Sequence, residues 1–426
     1  MARKMKDSGI EWIGEIPEGW EVGQIGQLYS ERRTKVSDKD YPPLSVTMKG
    51  ILPQLSTAAK TDAHDDRKLV CKGDFAINSR SDRRGSCGIS DQDGSISLIN
   101  TVLQPRGEMN PGYYNWLFHT SMFADEFYKW GHGIVDDLWT TSWSDMKKIG
   151  VPVPSKCEQK QLAEHLNVEC SHIDSMLSKT RSSIEEYKKL KQAIITQAVT
   201  KGVRGEREMK KDSRVEWIGE IPKEWNIIKS SRIIKTTQNG LSRRDLEKSE
   251  GQIILKLKNI TSDGKIDYSF LNRITLSQNE LNTYALTTGD FLFVRVNGSK
   301  SLVGKCAIFE AISEIVAYND HIIRVKLSNQ CYNRFFLWYL YSCCGKAEID
   351  LHTSTAAGQY TISGDGLRDI TLVFPPIDEQ KEIADYLDAK CAEIDGLIAK
   401  KEQLVKELET YKKSLIYEVV TGKREV

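Results

Sequence analysis

Four short stretches of this 426-residue chain set chemically capable side chains at suggestive spacings. Asn110-Pro111-Gly112-Tyr113 is similar to the Asn-Pro-Pro-Tyr loop that grips an extruded adenine. Here glycine stands in place of the second proline and no Gly-rich cofactor loop follows a strand upstream. An Asn N-cap with Pro at the first helical position explains the pattern. Gly298 to Cys306 resembles a phosphate loop, yet five residues separate Gly298 from Gly304 and Cys306 follows Lys305. The loop needs four residues there, and a Ser or Thr to reach magnesium. Asp378-Glu379-Gln380-Lys381 holds a nuclease-like Glu-x-Lys, but it opens a helix, and its sister Cys157-Glu158-Gln159-Lys160 lacks the aspartate. Cys170 with His165 and His172 lies in a helical segment without a second ligand pair, which favours a structural role over a metal site. No Ser-His-Asp or paired-carboxylate arrangement stands out. The chain is expected to be non-catalytic, with no metal and no cofactor of its own.

Binding chemistry is better represented. Arg80, Arg83 and Arg84 lie among small residues just after a strand pattern. Such a loop can offer a bidentate guanidinium to guanine or clamp a phosphate. Its counterpart holds Arg295, Asn297, Lys300 and Lys305, with Gly88 and Gly304 in matching places at an offset of 216. Arg243, Arg244, Arg32, Arg33 and Gln359 are further candidates. Gln359 belongs to Gly358-Gln359-Tyr360, whose positional partner is Leu138-Trp139. Tyr360, Trp139 and most of the nine tryptophans are assigned to packing.

Charge limits how such residues can act. The formal net charge is +1. Residues 1–154 carry 19 Lys+Arg against 21 Asp+Glu, and residues 207–374 carry 23 against 19. A chain so balanced has a weak field of its own, so a partner is expected to supply much of any phosphate neutralisation. Composition, 39% hydrophobic and 28% charged, is that of a soluble protein without a spanning segment. The first ten residues lack the apolar stretch of a secretory signal. Nine cysteines with no CxxC fit a reducing compartment. The expected location is the cytoplasm.

The elements that carry these residues are written twice. Glu11-Trp12-Ile13-Gly14-Glu15-Ile16-Pro17 returns as Glu216-Trp217-Ile218-Gly219-Glu220-Ile221-Pro222. The segment beginning at Val151 returns at Leu372, at a constant offset of 221. Each copy is a Trp-rich leader, a variable block of mixed α/β pattern and a long helical segment. Domains are placed at 1–154, 155–206, 207–374 and 375–426: a variable block with its leader, a helix, and the same again. In each block a Gly-Asp turn precedes a strand, at Asp74-Phe75-Ala76-Ile77 and Asp290-Phe291-Leu292-Phe293-Val294, and an aromatic helix follows at Gly112–Phe118 and Tyr332–Tyr341. Pro154 and Pro375-Pro376 open the long helices, acidic residues follow them, and Gly202 and Gly422 stop them. Roughly forty residues without proline make about 60 Å of helix. A seven-residue register runs through Leu166, Ile173, Thr180, Tyr187 and Ile194, and through Leu387, Ile394, Lys401, Leu408 and Leu415. Companion seams are set three residues on, at Glu169, Met176, Ser183, Leu190 and Gln197, and at Lys390, Leu397, Leu404, Tyr411 and Glu418. Matched length and register predict that the two helices pack as an antiparallel coiled coil with a pseudo-two-fold axis.

The Trp leader, the Gly-Asp-Phe turn, and above all Val373-Phe374-Pro375-Pro376-Ile377-Asp378-Glu379-Gln380-Lys381 with its sister from Val151 resemble the specificity (S) subunit of bacterial Type I restriction-modification enzymes. The likeness spans the whole chain in duplicate. At Ser155-Lys156-Cys157 the first copy departs from the usual Pro-hydrophobic-acid run. The resemblance implies that each variable block is a target recognition domain reading one half of a split, asymmetric sequence in double-stranded DNA, with the helices as a ruler between them. It implies two modification subunits that bind S-adenosylmethionine and methylate adenine N6, and through them restriction subunits that use ATP and Mg. The alternative is a structural adaptor joining two protein-binding domains through a coiled coil.

Overall fold

Gly73 and Gly289 adopt φ of 89° and 91°, a left-handed backbone that side chains disfavour. Each permits a turn closed by the next residue. The Asp74 carboxylate accepts the Cys71 N–H at 2.8 Å, and Asp290 accepts the Thr287 N–H at 2.9 Å. Each turn launches the central strand of a buried sheet. The structure, a computed structural model, describes residues 3–54, 65–133, 139–210, 215–243, 250–261, 263–356 and 358–426.

The chain divides into two compact units, Met1–Ser182 with Lys401–Val426, and Ser183–Lys400. In the first unit the central antiparallel sheet runs Cys87–Ile89, Phe75–Asn78, Asn100–Pro105, Tyr29–Glu31. In the second it runs Cys306–Ile308, Phe291–Val294, Ile322–Leu327, Ile234–Asn239. The order is the same strand for strand. Outer sheets differ: the three strands in the first unit pair antiparallel, with a single parallel bridge from Pro43 to Ser95, whereas Gln252–Leu255 pairs in parallel with Val316–Tyr318 in the second. The variable blocks therefore share a core and diverge at its edge.

Aromatic helices cover these sheets. Pro111–Phe118 buries Tyr113, Tyr114, Leu117 and Phe118, and Asn333–Tyr341 buries Phe335, Phe336 and Tyr339. Phe118 meets Phe75 tilted at 4.9 Å and Phe336 meets Phe291 edge-on at 5.4 Å. Such ring pairs add stabilisation of about 1 kcal/mol beyond the area they bury.

The long helices are Lys156–Lys201 and Ile377–Val420. Ser155 opens the first as a capping box: its hydroxyl faces the Glu158 N–H at 3.3 Å while Glu158 accepts the Ser155 N–H at 3.2 Å. The departure at Ser155-Lys156-Cys157 therefore leaves the helix start intact, with Ser155 doing by side chain what Pro376 does by ring geometry. At the other end Gly202 and Gly422 turn with φ of 81° and 70°. A Cβ on Gly422 would meet Pro17 at 2.5 Å and Trp20 at 2.9 Å, and one on Gly202 would meet Trp225 at 3.1 Å. The helix ends are set against leader tryptophans.

Both units contain part of each helix. In the first, Lys412 binds Asp174 at 2.6 Å and Arg181 binds Glu409 at 2.5 Å; in the second, Lys191 binds Asp395 at 2.6 Å and Arg204 binds Glu382 at 2.7 Å. One number rises as the other falls, so the helices run antiparallel within each unit. Leu166, Ile173, Leu387, Ile394 and Leu415 are buried, and Tyr187, Ile194 and Leu408 are half-buried. The companion seams are corrected. Met176, Leu190, Leu404 and Tyr411 are 46%, 48%, 43% and 44% exposed, while the buried companions lie one residue further on, at Cys170, Leu177, Ile184 and Cys391. No helix among the described residues is long and apolar enough to cross a membrane.

Candidate nucleic-acid interface

The imitations of catalytic motifs resolve into structural roles. Asn110 caps its helix, accepting the Tyr113 N–H at 3.2 Å, and the buried Tyr113 hydroxyl donates to Val420 O at 2.7 Å. Residues 298–304 run into the strand Cys306–Ile308, whereas a phosphate loop runs into a helix. Glu158 accepts Trp20 Nε1–H at 3.1 Å and pairs with Arg3, whose guanidinium lies over the Trp20 ring. Glu379 does the same with Trp225 at 3.2 Å and Arg207 at 2.9 Å. Gln159 and Gln380 tie the helix starts to the aromatic helices, accepting the N–H of Asn110 at 2.9 Å and of Tyr332 at 2.8 Å. Burial pushes the Glu158 carboxyl up, but bonds from Ser155, Trp20 and Arg3 outweigh it and hold it at about 2. The glutamate of each Glu-x-Lys is thus the lock between leader and helix. Cys170 is buried, its thiol pushed up to about 11 by desolvation, and His172 is exposed on another face. Among the described residues no three His, Cys, Asp or Glu side chains gather as a metal site.

The loops after the central strands are duplicated in form. Ser81–Arg83 and Lys300–Leu302 are single 3-10 turns, each leading to the next strand of the sheet. Arg80, Arg83 and Arg84 are exposed. Arg83 stands 3.7 Å from Asp82, while Arg84 binds Asp125 at 3.1 Å and lies over the Tyr128 ring. In the second unit Arg295 is half-buried and donates to Asp320 O at 3.2 Å, Asn297 accepts the Ser299 N–H at 2.9 Å, and Lys300 approaches Asp350 at 4.0 Å. Lys305 is half-buried beside Gly304, whose left-handed φ of 74° brings it against Ile349.

A connection absent from local sequence joins two sets of candidates. Val296–Asn297 pairs with Gln359–Ile362, Asn297 opposite Tyr360, and that strand forms a hairpin with Thr353–Ala356. Gln359 thereby stands exposed near the hairpin tip, in one sheet with Asn297. In the first unit Thr140 bridges both Arg80 and His132, and Ser79 O accepts the Thr141 N–H at 3.0 Å. Trp139 donates to Tyr128 O at 2.7 Å, while Leu138 lies outside the described residues. Each unit thus ties the loop after its central strand to a later backbone segment, Arg80 to Thr140 in the first and Val296–Asn297 to Gln359–Ile362 in the second.

Other candidates lie apart from those segments. Arg243 pairs with Glu280 at 3.0 Å and with Thr275 O; Arg244 lies outside the described residues. Arg32 forks onto buried Asp74 at 2.6 and 3.1 Å, stiffening the Gly-Asp turn, and Arg33 binds Glu31 at 2.7 Å. Of the tryptophans, Trp12, Trp20 and Trp225 are buried, whereas Trp217 is 38% exposed, so the two leaders are not packed alike.

Residues 222–407 match the family described as "Type I restriction modification DNA specificity domain". The chain is 24% identical over 409 residues to the Type I restriction enzyme StySPI specificity subunit of Salmonella potsdam, covering 90% of this chain and 84% of that protein. It is 25% identical over 415 residues to the EcoKI specificity subunit of Escherichia coli K12, with the same shares covered. A chain in a solved structure of the type I R-M system superposes with a TM-score of 0.73 at 12% identity, over 95% of this chain and 98% of that one. That likeness extends the mixed α/β fold with long helices over the whole length.

Proposed function

We propose that this chain, a member of the Type I restriction-modification specificity-subunit family, reads a bipartite, asymmetric DNA target, one half-site per unit. The observation that carries the reading is the loop after the central strand bridged to a later segment in both units, Arg80 to Thr140 and Val296–Asn297 to Thr361 and Tyr360, with unlike side chains at the matching places. Phosphate contacts set register and base-edge contacts set sequence. Arg80 and Arg83 in one unit, with Asn297, Gln359 and Lys300 in the other, supply donors suited to guanine, adenine and phosphate. Different readers at equivalent places call for different half-sites.

A specificity subunit is a recognition component, and the chemistry belongs to its partners. The partners are two modification subunits, which bring S-adenosylmethionine and methylate adenine N6, and restriction subunits that use ATP and Mg. The near-neutral charge of the chain supports this division, since a reader with net charge +1 gains phosphate neutralisation from what it carries. The target adenine leaves the duplex for a partner's pocket, so the units need hold only flanking bases and backbone.

The test is to sequence host DNA for N6-methyladenine with and without this gene, the methyltransferase being expressed in both. A split asymmetric motif that disappears on deletion is expected. Unchanged methylation would instead leave the chain as a structural adaptor.

A further inference from the structure

We infer that Leu98 and Ile99 are the thymine readers of the first unit, contacting the 5-methyl group of a T·A pair in the major groove; this rests on the DNA-reading role proposed above. The two side chains are 38% and 37% exposed, adjacent, and aliphatic. They occupy the turn between Gly94–Ile96 and Asn100–Pro105. That turn is rigid: Asn100 donates to Ser97 O from its backbone N–H at 3.1 Å and from its side chain at 3.0 Å. It also borders the Arg80 loop. Ser79 N–H donates to Ile99 O at 3.3 Å, and the Ser79 and Thr101 hydroxyls are 2.9 Å apart. Leu98 and Ile99 therefore share an edge with Arg80 and Thr140.

The fold does not require apolar side chains there. Exposed turns are ordinarily written in Gly, Asn, Asp, Ser or Pro. The second unit uses the same backbone anchor, Arg295 N–H donating to His321 O at 2.8 Å, yet its turn carries Asp320 and His321, 3.7 Å apart. One architecture thus tolerates an Asp-His pair or an aliphatic pair. In the major groove only thymine offers a methyl group, and apolar side chains recognise it. Exposed Arg80, the residue after the Ser79 that bonds to this turn, makes DNA, with its phosphates and guanines, the fitting occupant.

The experiment uses the full chain in complex with its methyltransferase, on duplexes carrying the methylated motif found as above. Each thymine is replaced singly by deoxyuridine, which removes only the methyl group. One replacement in one half-site should weaken binding about fourfold, the loss expected for one methyl group taken out of an apolar contact. Replacements in the other half-site should have no effect. In the Leu98→Ala/Ile99→Ala variant the same thymine and deoxyuridine duplexes should bind alike. If the motif is found but wild-type protein binds every deoxyuridine duplex as tightly, the thymine assignment is overturned while the DNA-reading role stands. Discrimination that survives in the variant overturns it equally. If no motif is found, the DNA-reading role fails and takes the assignment with it.

Discussion

Single side chains here divide into those that hold the fold and those that face outward to read, and the two kinds answer to different measurements. Glu158 is of the first kind. Its carboxyl titrates at about 2 against an ordinary 4.5, so it binds its proton less readily folded than unfolded. A depressed carboxylate contributes stability that is complete above the unfolded value and is lost as pH falls through the folded one. With the side chain 32% exposed, solvent screening reduces the contribution to roughly 1–2 kcal/mol. Glu158→Gln should therefore lower the urea midpoint of the first unit at pH 7, and the deficit should shrink steadily between about pH 4.5 and pH 2. A deficit independent of pH would mean that the carboxylate's charge is not what holds Trp20 and Arg3. Arg83 is of the second kind, exposed and only loosely placed by Asp82. For Arg83→Ala the complex should bind DNA more weakly across sequences, with the slope of log affinity against log salt reduced by about one. An unchanged slope would remove Arg83 from the phosphate contacts.

At the scale of elements, much was legible because it was local and repeated. Glycine before aspartate marks the turn into each central strand, proline and serine mark the helix starts, and Gly202 and Gly422 mark the stops. The pairing of Asn297 with Tyr360 was not legible, because a bridge between residues so far apart in sequence leaves no periodic trace. Nor was the lock of Trp20 and Trp225 onto Glu158 and Glu379, although all four residues lie inside the repeats. The companion seam was misplaced for a definable reason. Each long helix buries a stripe against its domain core as well as against the other helix, and Cys170 and Cys391, counted as apolar, move the register one residue on. The register makes a sharp test. Leu177→Ala should cost about 2–4 kcal/mol, the usual loss for a buried leucine, while Met176→Ala, its exposed neighbour, should stay within about 0.5 kcal/mol. Thermal or urea unfolding of the two variants decides between the stripes, and equal losses would contradict the buried assignment.

For the molecule as a whole, the decisive property is that both long helices are continuous while each contributes to both compact units. On the proposed reading, with one half-site per unit, the helices act as the ruler for the DNA spacer, which has to satisfy length and phase together. Seven residues added to each helix preserve the heptad register and add about 10 Å, equivalent to roughly three base pairs at 3.4 Å each. Three base pairs also turn the duplex by about 100°, since a full turn takes about 10.5 pairs. A single heptad in each helix should therefore lengthen the preferred spacer by about three pairs, keep both half-sites, and weaken binding through the phase error. Three heptads in each add about 31 Å, so the spacer should grow by about nine pairs, which leaves a phase error of about 50°, half that of one heptad. The readout is the methylated motif in hosts carrying each variant. A ruler predicts intact half-sites with a spacer that follows helix length, and the three-heptad protein methylating more completely than the one-heptad protein. Half-sites retained at the original spacing in both variants would show that the gap is set elsewhere, by the partners or by the DNA itself.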